Sequence, residues 1–460
     1  MTPQPSRSSD QPAPSRGEPR ELTLAVGAPA HGGHCVARPV DDPGGRVIFV
    51  RHALPGETVR ARLTEMTSRT WRADAVEILQ ASPDRVESVW PEAGPAGVGG
   101  GELAHVALDA QRTWKRWVLA DCLRRIGGQE VADAVAALPE ASAAAAVPIE
   151  PMPTDAAAQA SNSARRRALA GTSTRTRVSL TVGEDGRPGM HAFRSGTVLP
   201  LRRLPLAVDA ITEIGLLERS RWRAHYRPGM RIEAIAPSGG EPVVLLDERL
   251  LTAQARSTGR RRVREVVDAS ALGLGELTYS VHAEGFWQVH VDAPRVLVER
   301  VVRGALGADL DGAAGSRVLE LYSGAGLFTL PLAALVGSGG EVVSLEGNEQ
   351  AVRDARRTLH DQPSARLASG RVSARSVREL AGSLTGGRPD VVVLDPPRQG
   401  AGREVIEAVG ALGAERIVLV ACDPAALARD LGTLLRSGYA LGSMSALDMF
   451  PHTHHFETIA

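Results

Sequence analysis

From Ser316 onward the chain repeats one phrase four times: an apolar run, a tight turn carrying Gly, Asp or Cys, and in most cases an amphipathic stretch. The phrases are RVLELYSGAGLFTLPLAAL, EVVSLEGNEQAVRDARRTL, PDVVVLDPPRQG and RIVLVACDPAALARDLGTLL. Near-continuous apolar runs followed by helical spacing belong to buried parallel strands joined by crossover helices, which makes this half a doubly wound α/β sheet. Such sheets take their ligands at the C-terminal ends of the strands. All four ends carry a candidate functional residue: Tyr322, Glu346, Asp395 and Cys422.

The rest of the chain reads differently. Residues 1–20 are Pro, Ser and Arg with almost nothing to bury, and are expected to be a disordered tail. Over residues 21–80 short alternating runs separated by Gly and Pro turns describe a small β-barrel of the oligonucleotide-binding type. Val59, Ala61 and Leu63 face one way there, and Arg60 and Arg62 the other, where they could meet phosphate or simply form a solvated face. A central α+β domain is expected over residues 81–280, and the C-terminal sheet domain over 281–460. Within the central part, residues 111–137 space Trp114, Trp117, Val118 and Leu123 as one helix that also holds Cys122. Residues 139–160 are rich in Ala and Pro and read as a linker or expanded loop, followed to about Leu246 by the strands of an antiparallel sheet.

Composition sets limits. With 53 basic and 53 acidic residues the chain has no overall electrostatic signature of a nucleic-acid binder, so any basic surface must be local. Every basic residue except Lys115 is an arginine, which a composition biased towards Arg, Ala, Gly and Val accounts for. No long apolar run or leader is evident, and three scattered cysteines build no disulfide framework. A cytoplasmic protein that avoids membranes is expected.

In the first phrase Gly324 and Gly326 let the backbone turn tightly, and Glu346 ends the next strand twenty residues beyond Gly326, placed to take both hydroxyls of a ribose. Both S-adenosylmethionine and NAD satisfy that spacing. A dinucleotide fingerprint has a third glycine where Thr329 stands, and Glu320 before the loop suits a cationic methionine moiety better than a pyrophosphate. The third strand end, Asp395-Pro396-Pro397-Arg398, lacks the aromatic residue that stacks on a base methylated at its amino group, and no second cysteine of the RNA cytosine methyltransferase kind lies between Asp395 and Gly402. A uracil target remains. Its carbon 5 is a poor nucleophile, so a thiolate must first add at carbon 6, and a base must later remove the carbon 5 proton. Cys422, at a strand end opening onto a helix whose dipole is expected to lower its pKa, is the candidate thiolate, and Glu457 the candidate base. Taken singly, each has a plainer reading as a packed thiol and a solvated carboxylate. His452, His454 and His455 are not expected to bind metal, because three histidines in four residues cannot all point one way in a strand.

Together, GFWQVH, LELYSGAGLFTLPLA, VVSLEGNEQAV, VVLDPPRQG, VLVACDPAALARDL and FPHTHHFETIA resemble the bacterial RNA uridine-5-methyltransferase family, and the N-terminal barrel resembles its TRAM domain. The resemblance implies a Rossmann-like class I methyltransferase sheet and an enzyme of class EC 2.1.1. It implies that Gln288, Tyr322, Glu346 and Asp395, with the Gly324 and Gly326 loop, bind S-adenosylmethionine, that Asp395 also contacts the base, and that Cys422 is the nucleophile and Glu457 the base. The partner is then structured RNA, with 23S rRNA favoured over tRNA, and the enzyme a monomer. Many ribosomal-RNA members hold a four-cysteine iron–sulfur cluster. Here Trp90, Val98, Gly101 and Leu204 stand at the corresponding positions, so no iron–sulfur cluster is expected.

Overall fold

The structure, a computed structural model, describes residues 20–141 and 146–460. The tail expected over residues 1–20 lies, except for Arg20, outside the described residues. The chain divides into two compact units, one formed by the segments up to Pro83 and the other by Asp84–Ala460 with His31–Gly33.

The first unit is a closed barrel in the order Glu21–Ala30, His34–Pro39, Ile48–Arg51, Trp71–Gln80, Thr58–Met66. Closure pairs both edges, and alternation along each strand fills the interior. In Thr58–Met66, Val59 and Ala61 are buried while Arg60 and Arg62 are exposed. Both arginines are already paired, Arg60 with Glu77 at 3.0 Å and Arg62 with Glu21 at 3.0 Å.

The second unit contains two larger sheets. One is antiparallel and six-stranded, in the order Arg249–Thr252, Val243–Leu246, Arg231–Ile235, Arg177–Val182, Pro188–His191, Val198–Pro200. The other has eight strands in the order Ala365–Ser369, Glu341–Glu346, Arg317–Leu321, Val391–Leu394, Arg416–Ala421, Glu457–Ile459, Ser445–Asp448, Ile149–Pro151. Its first five strands are parallel, and the central ones, Arg317–Leu321, Val391–Leu394 and Arg416–Ala421, are mostly apolar and buried, as strands covered on both faces are. Glu457–Ile459 runs antiparallel between Arg416–Ala421 and Ser445–Asp448.

Three expectations change here. The stretch read as a linker over residues 139–160 supplies the edge strand Ile149–Pro151, paired parallel with Ser445–Asp448, and the helix Pro153–Gln159. The helix read over residues 111–137 is two, Leu108–Arg125 and Gln129–Ala136, broken where Gly128 adopts φ of 87°. A Cβ at Gly127 would come within 2.6 Å of the Leu123 carbonyl oxygen, so no larger residue fits the break. Finally, Trp117 is 55 % exposed, whereas Gln111 and Lys115 on the same helix are fully buried.

The four positions named for cluster cysteines are occupied by an apolar core. Trp90, Val98 and Leu204 belong to one buried cluster with Ala93, and a Cβ on Gly101 would lie 2.9 Å from the Trp90 ring and 2.7 Å from Ala93. These side chains offer no thiolate and fill the space, so an iron–sulfur cluster does not fit.

Candidate active site

Register places the site. Leu321 pairs with Leu345 on one side and Leu394 on the other, and Leu394 pairs with Leu419, so the parallel strands finish side by side. Tyr322, Glu346, Asp395 and Cys422 therefore emerge along one edge. The antiparallel ladder pairs Ala421 with Thr458, and one further step sets Glu457 opposite Cys422. The Thr458 hydroxyl locks that register by donating to the Ala421 carbonyl at 2.8 Å.

A cavity of about 1740 Å³ opens at this edge, lined among others by Gln288, Tyr322, Gly324, Glu346, Asp395, Cys422 and Glu457. Its volume is large enough for more than one ligand moiety. The glycine loop is shaped by Tyr322, a non-glycine residue at φ of 64° whose N–H donates to Leu345 O at 2.8 Å. A side chain held in that region costs about 1–3 kcal/mol, which the surrounding sheet must offset. Glu346 accepts from Gly324 N at 3.0 Å through Oε2 and from Asn348 N at 2.6 Å through Oε1. Each oxygen keeps a further lone pair for a ligand hydroxyl.

Two residues of this stretch sit back from the cavity wall. Gly326 does not line the cavity: its N–H closes a turn onto Ser323 O, and a Cβ there would press on Ala355 at 3.3 Å. Its role is the close packing of loop against helix. Glu320 does not reach the cavity either. It is 1 % exposed, accepts from the Thr329 hydroxyl at 2.6 Å and leaves Oε1 without a hydrogen-bond partner. Thr329, where a third glycine was missed, is thus the partner of the buried glutamate.

Burial and the charges of Asp395 and Glu346 push Glu320 up to about 8, against the Thr329 hydrogen bond. In the folded chain this carboxyl holds its proton after the unfolded chain has released it, so its contribution to stability is complete below about pH 4.5 and disappears as pH climbs through 8. Each pKa unit is worth ~1.4 kcal/mol. Glu320→Gln, which cannot ionise, should therefore gain on the parent by roughly 2–4 kcal/mol between pH 5 and pH 9, read from denaturant midpoints. Parallel pH curves for the two proteins would exclude this account.

The chemistry-bearing residues perturb one another. Asp395 is pushed up to about 7 by burial and by Glu346. Glu457, 5 % exposed, is raised well above the carboxylate range by burial and by Asp395, with Arg398 opposing. The half-buried Cys422 thiol is pushed up to about 12 by burial, Glu457 and Asp395, and its own backbone and Arg398 pull down only weakly. That reverses the expected lowering. The helix Pro424–Arg436 is capped by Asp423, whose carboxylate accepts from Ala426 N at 2.8 Å, so a carboxylate rather than the thiol satisfies its first turn.

The histidines diverge. The His452 main chain and ring both meet Gln111, His454 stands 3.7 Å from Glu102, and His455 lines the cavity with its ring 4.0 Å from that of His454. Burial, His454 and Arg398 hold the His455 pKa down to about 3, so its imidazole is neutral at pH 7. Sequence reading also passed over Phe286. Its ring is 75 % exposed on the cavity wall between Gly285 and the buried Trp287, and an aromatic two residues before Gln288 was the available signal.

Residues 276–459 match the family described as tRNA (Uracil-5-)-methyltransferase, and residues 18–76 match the TRAM domain. A Streptomyces avermitilis protein described as an uncharacterized RNA methyltransferase is 38% identical over 465 residues, spanning 96% of this chain and 97% of its own length. The 23S rRNA (uracil(1939)-C(5))-methyltransferase RlmD of Acinetobacter baumannii strain AB0057 is 30% identical, covering 94% of this chain and 92% of its own. Among solved structures, the Pyrococcus abyssi tRNA (uracil-54, C5)-methyltransferase in complex with S-adenosyl-L-homocysteine superposes with a TM-score of 0.62 at 20% identity, over 95% of this chain and 98% of its own.

Proposed function

This chain belongs to the RNA uracil-5-methyltransferase family, and on that premise we propose that it methylates carbon 5 of a uridine in 23S rRNA, with Cys422 as nucleophile and Glu457 as base. The observation that carries the reading is the ladder between Arg416–Ala421 and Glu457–Ile459, whose continuation brings Cys422 and Glu457 to neighbouring positions lining the same cavity as Glu346. The sheet order fits a Rossmann-like class I methyltransferase domain. Bound S-adenosylmethionine supplies a methyl group on a sulfonium, whose charge suits a cavity walled by Glu346 and Asp395. Gln288, Tyr322, Gly324, Glu346 and Asp395 would hold it.

Cys422 acts first. Having given up its proton to solvent, its sulfur bonds to carbon 6 of the uracil, the double bond between carbons 5 and 6 shifts its electrons towards the carbon 4 oxygen, and carbon 5 then attacks the donor's methyl carbon, whose bond to the sulfonium sulfur would break to leave a neutral thioether. Glu457 then removes the carbon 5 proton. The electron pair of that bond restores the double bond and expels the Cys422 thiolate, leaving 5-methyluridine. In the open cavity the thiol is neutral, and Arg398 already draws it downward, the direction in which a cationic donor beside Asp395 acts as well. The raised pKa of Glu457 makes its carboxylate a stronger base for the carbon 5 proton, and Arg398, which opposes the shift, favours the ionised form that the step requires. The target must leave the base stack, at a cost of a few kcal/mol, unless it lies in a loop.

The ribosomal substrate is supported by the relative at 30% identity that acts on 23S rRNA. The barrel does not discriminate, because the archaeal tRNA enzyme covers 95% of this chain and so spans barrel residues as well. The test is to incubate the protein and S-adenosylmethionine with 23S rRNA and tRNA transcripts containing 5-fluorouridine. Fluorine at carbon 5 cannot leave as a proton, so a denaturation-resistant complex should form with the ribosomal transcript. No complex with either RNA overturns the mechanism, and a complex with tRNA alone overturns the substrate.

A further inference from the structure

The helix Leu108–Arg125 buries two polar side chains that the chemistry above does not use. Gln111 and Lys115, the chain's single lysine, are both fully buried. Apolar residues of similar volume would fill that face without the cost of burying an amide and an ammonium. Most of their partners lie at or beside one turn. The Gln111 carbonyl oxygen accepts from His452 N at 2.7 Å, and its amide nitrogen reaches His452 Nδ1 at 3.1 Å while donating to Val106 O at 2.8 Å and Leu103 O at 3.2 Å. Leu103 N in turn donates to His452 O at 2.9 Å. Lys115 donates to the Asp448 carboxylate and, at 3.1 Å, to Phe450 O.

That turn joins Ser445–Asp448 to Glu457–Ile459, the strand that presents Glu457. It contains His452 at φ of 65°, a conformation a non-glycine residue holds only when its surroundings enforce it. Gln111 grips both the main chain and the ring of that residue. On the far side of the turn, Phe450 and His455 line the cavity with their rings 6.2 Å apart, edge to face, and Glu457 follows two residues later.

We infer that Gln111 and Lys115 are positioning residues, which clamp the Asp448–His455 turn from outside the sheet so that Glu457 meets the proton on carbon 5 of the adduct. This rests on the mechanism proposed above. The clamp touches neither Cys422 nor the Glu346 loop, so its loss should fall on the step that uses Glu457.

Two variants test it, Gln111→Leu and the double change Lys115→Met with Asp448→Asn, which leaves no charge unpaired and keeps the test open if the first does not fold. Donor affinity is read by titration calorimetry, and adduct formation and decay on uridine-containing RNA by quenched single-turnover gels. We expect donor affinity within twofold of the parent, adduct formation within threefold, and adduct decay slowed thirtyfold or more, with kcat falling in step and the KM for RNA little changed. Decay at the parent rate overturns the inference. So does equal slowing of formation and decay, or loss of donor affinity alongside them, since a merely structural role predicts that pattern. The parent separates the two levels: if it forms no Cys422-dependent adduct with 5-fluorouridine RNA, the mechanism has failed. If it does, failure of the variants is failure of the clamp alone.

Discussion

Cys422→Ala will eliminate methyl transfer to RNA, lowering kcat by ~10⁴-fold or more, the scale on which losing a covalent nucleophile acts. The same change will abolish the denaturation-resistant complex with 5-fluorouridine RNA. Donor affinity should stay within about twofold, because Glu346, Tyr322 and Gly324 sit on other strand ends. Stability should change by less than ~1 kcal/mol, since the side chain is small and only half-buried. Methyl-labelled donor and a filter assay for RNA-bound label give the readout. Turnover above a hundredth of the parent's would remove Cys422 from the mechanism.

Glu457→Gln has a different signature. Without a base the carbon 5 proton stays in place, so kcat should fall by ~10²–10⁴-fold while ordinary uridine RNA accumulates as a covalent complex with Cys422. Adduct formation should not slow. An amide in place of Glu457 puts no negative charge beside the thiol and so does not oppose its ionisation. A gel showing RNA retained by Glu457→Gln, and released when Cys422→Ala is added, is the expected outcome. Absence of the retained band would mean that Glu457 acts before the adduct rather than after it.

How far the site could be read from the sequence depended on the range of the interactions. The parallel strands were legible because burial on both faces leaves short, mostly apolar runs, and their ends then named Tyr322, Glu346, Asp395 and Cys422. Glu457 was not legible in that way. Its strand has three residues, too few for any periodicity, so it was singled out by the need of a thiolate adduct for a base and by the resemblance. Spacing could not tell which side of the loop Gly326 faces, since that depends on Ala355 of the helix Glu349–Thr358 and on Leu359 at its end.

The thiol pKa was read in the wrong direction for a related reason. A helix start was visible in the sequence, but neither its capping by Asp423 nor the approach of Glu457 was. Gln111 and Lys115 were hidden further still, as their partners Asp448, Phe450 and His452 lie 333 to 341 residues away along the chain. By contrast, the break in the first long helix was available in the adjacent Gly127 and Gly128, residues with low helical propensity.

The edge strand Ile149–Pro151 has a consequence for how the molecule is assembled. By pairing with Ser445–Asp448 it covers backbone that would otherwise stand open at the rim of the eight-stranded sheet, beside the apolar Ala446 and Leu447. The covering segment is synthesised roughly three hundred residues before the strand it protects. It must wait, unpaired, while the intervening chain folds, and the pairing it finally makes is among the most non-local in the protein. A fragment cut at residue 281 to isolate the catalytic sheet would leave that rim bare and ready to pair with another copy of itself.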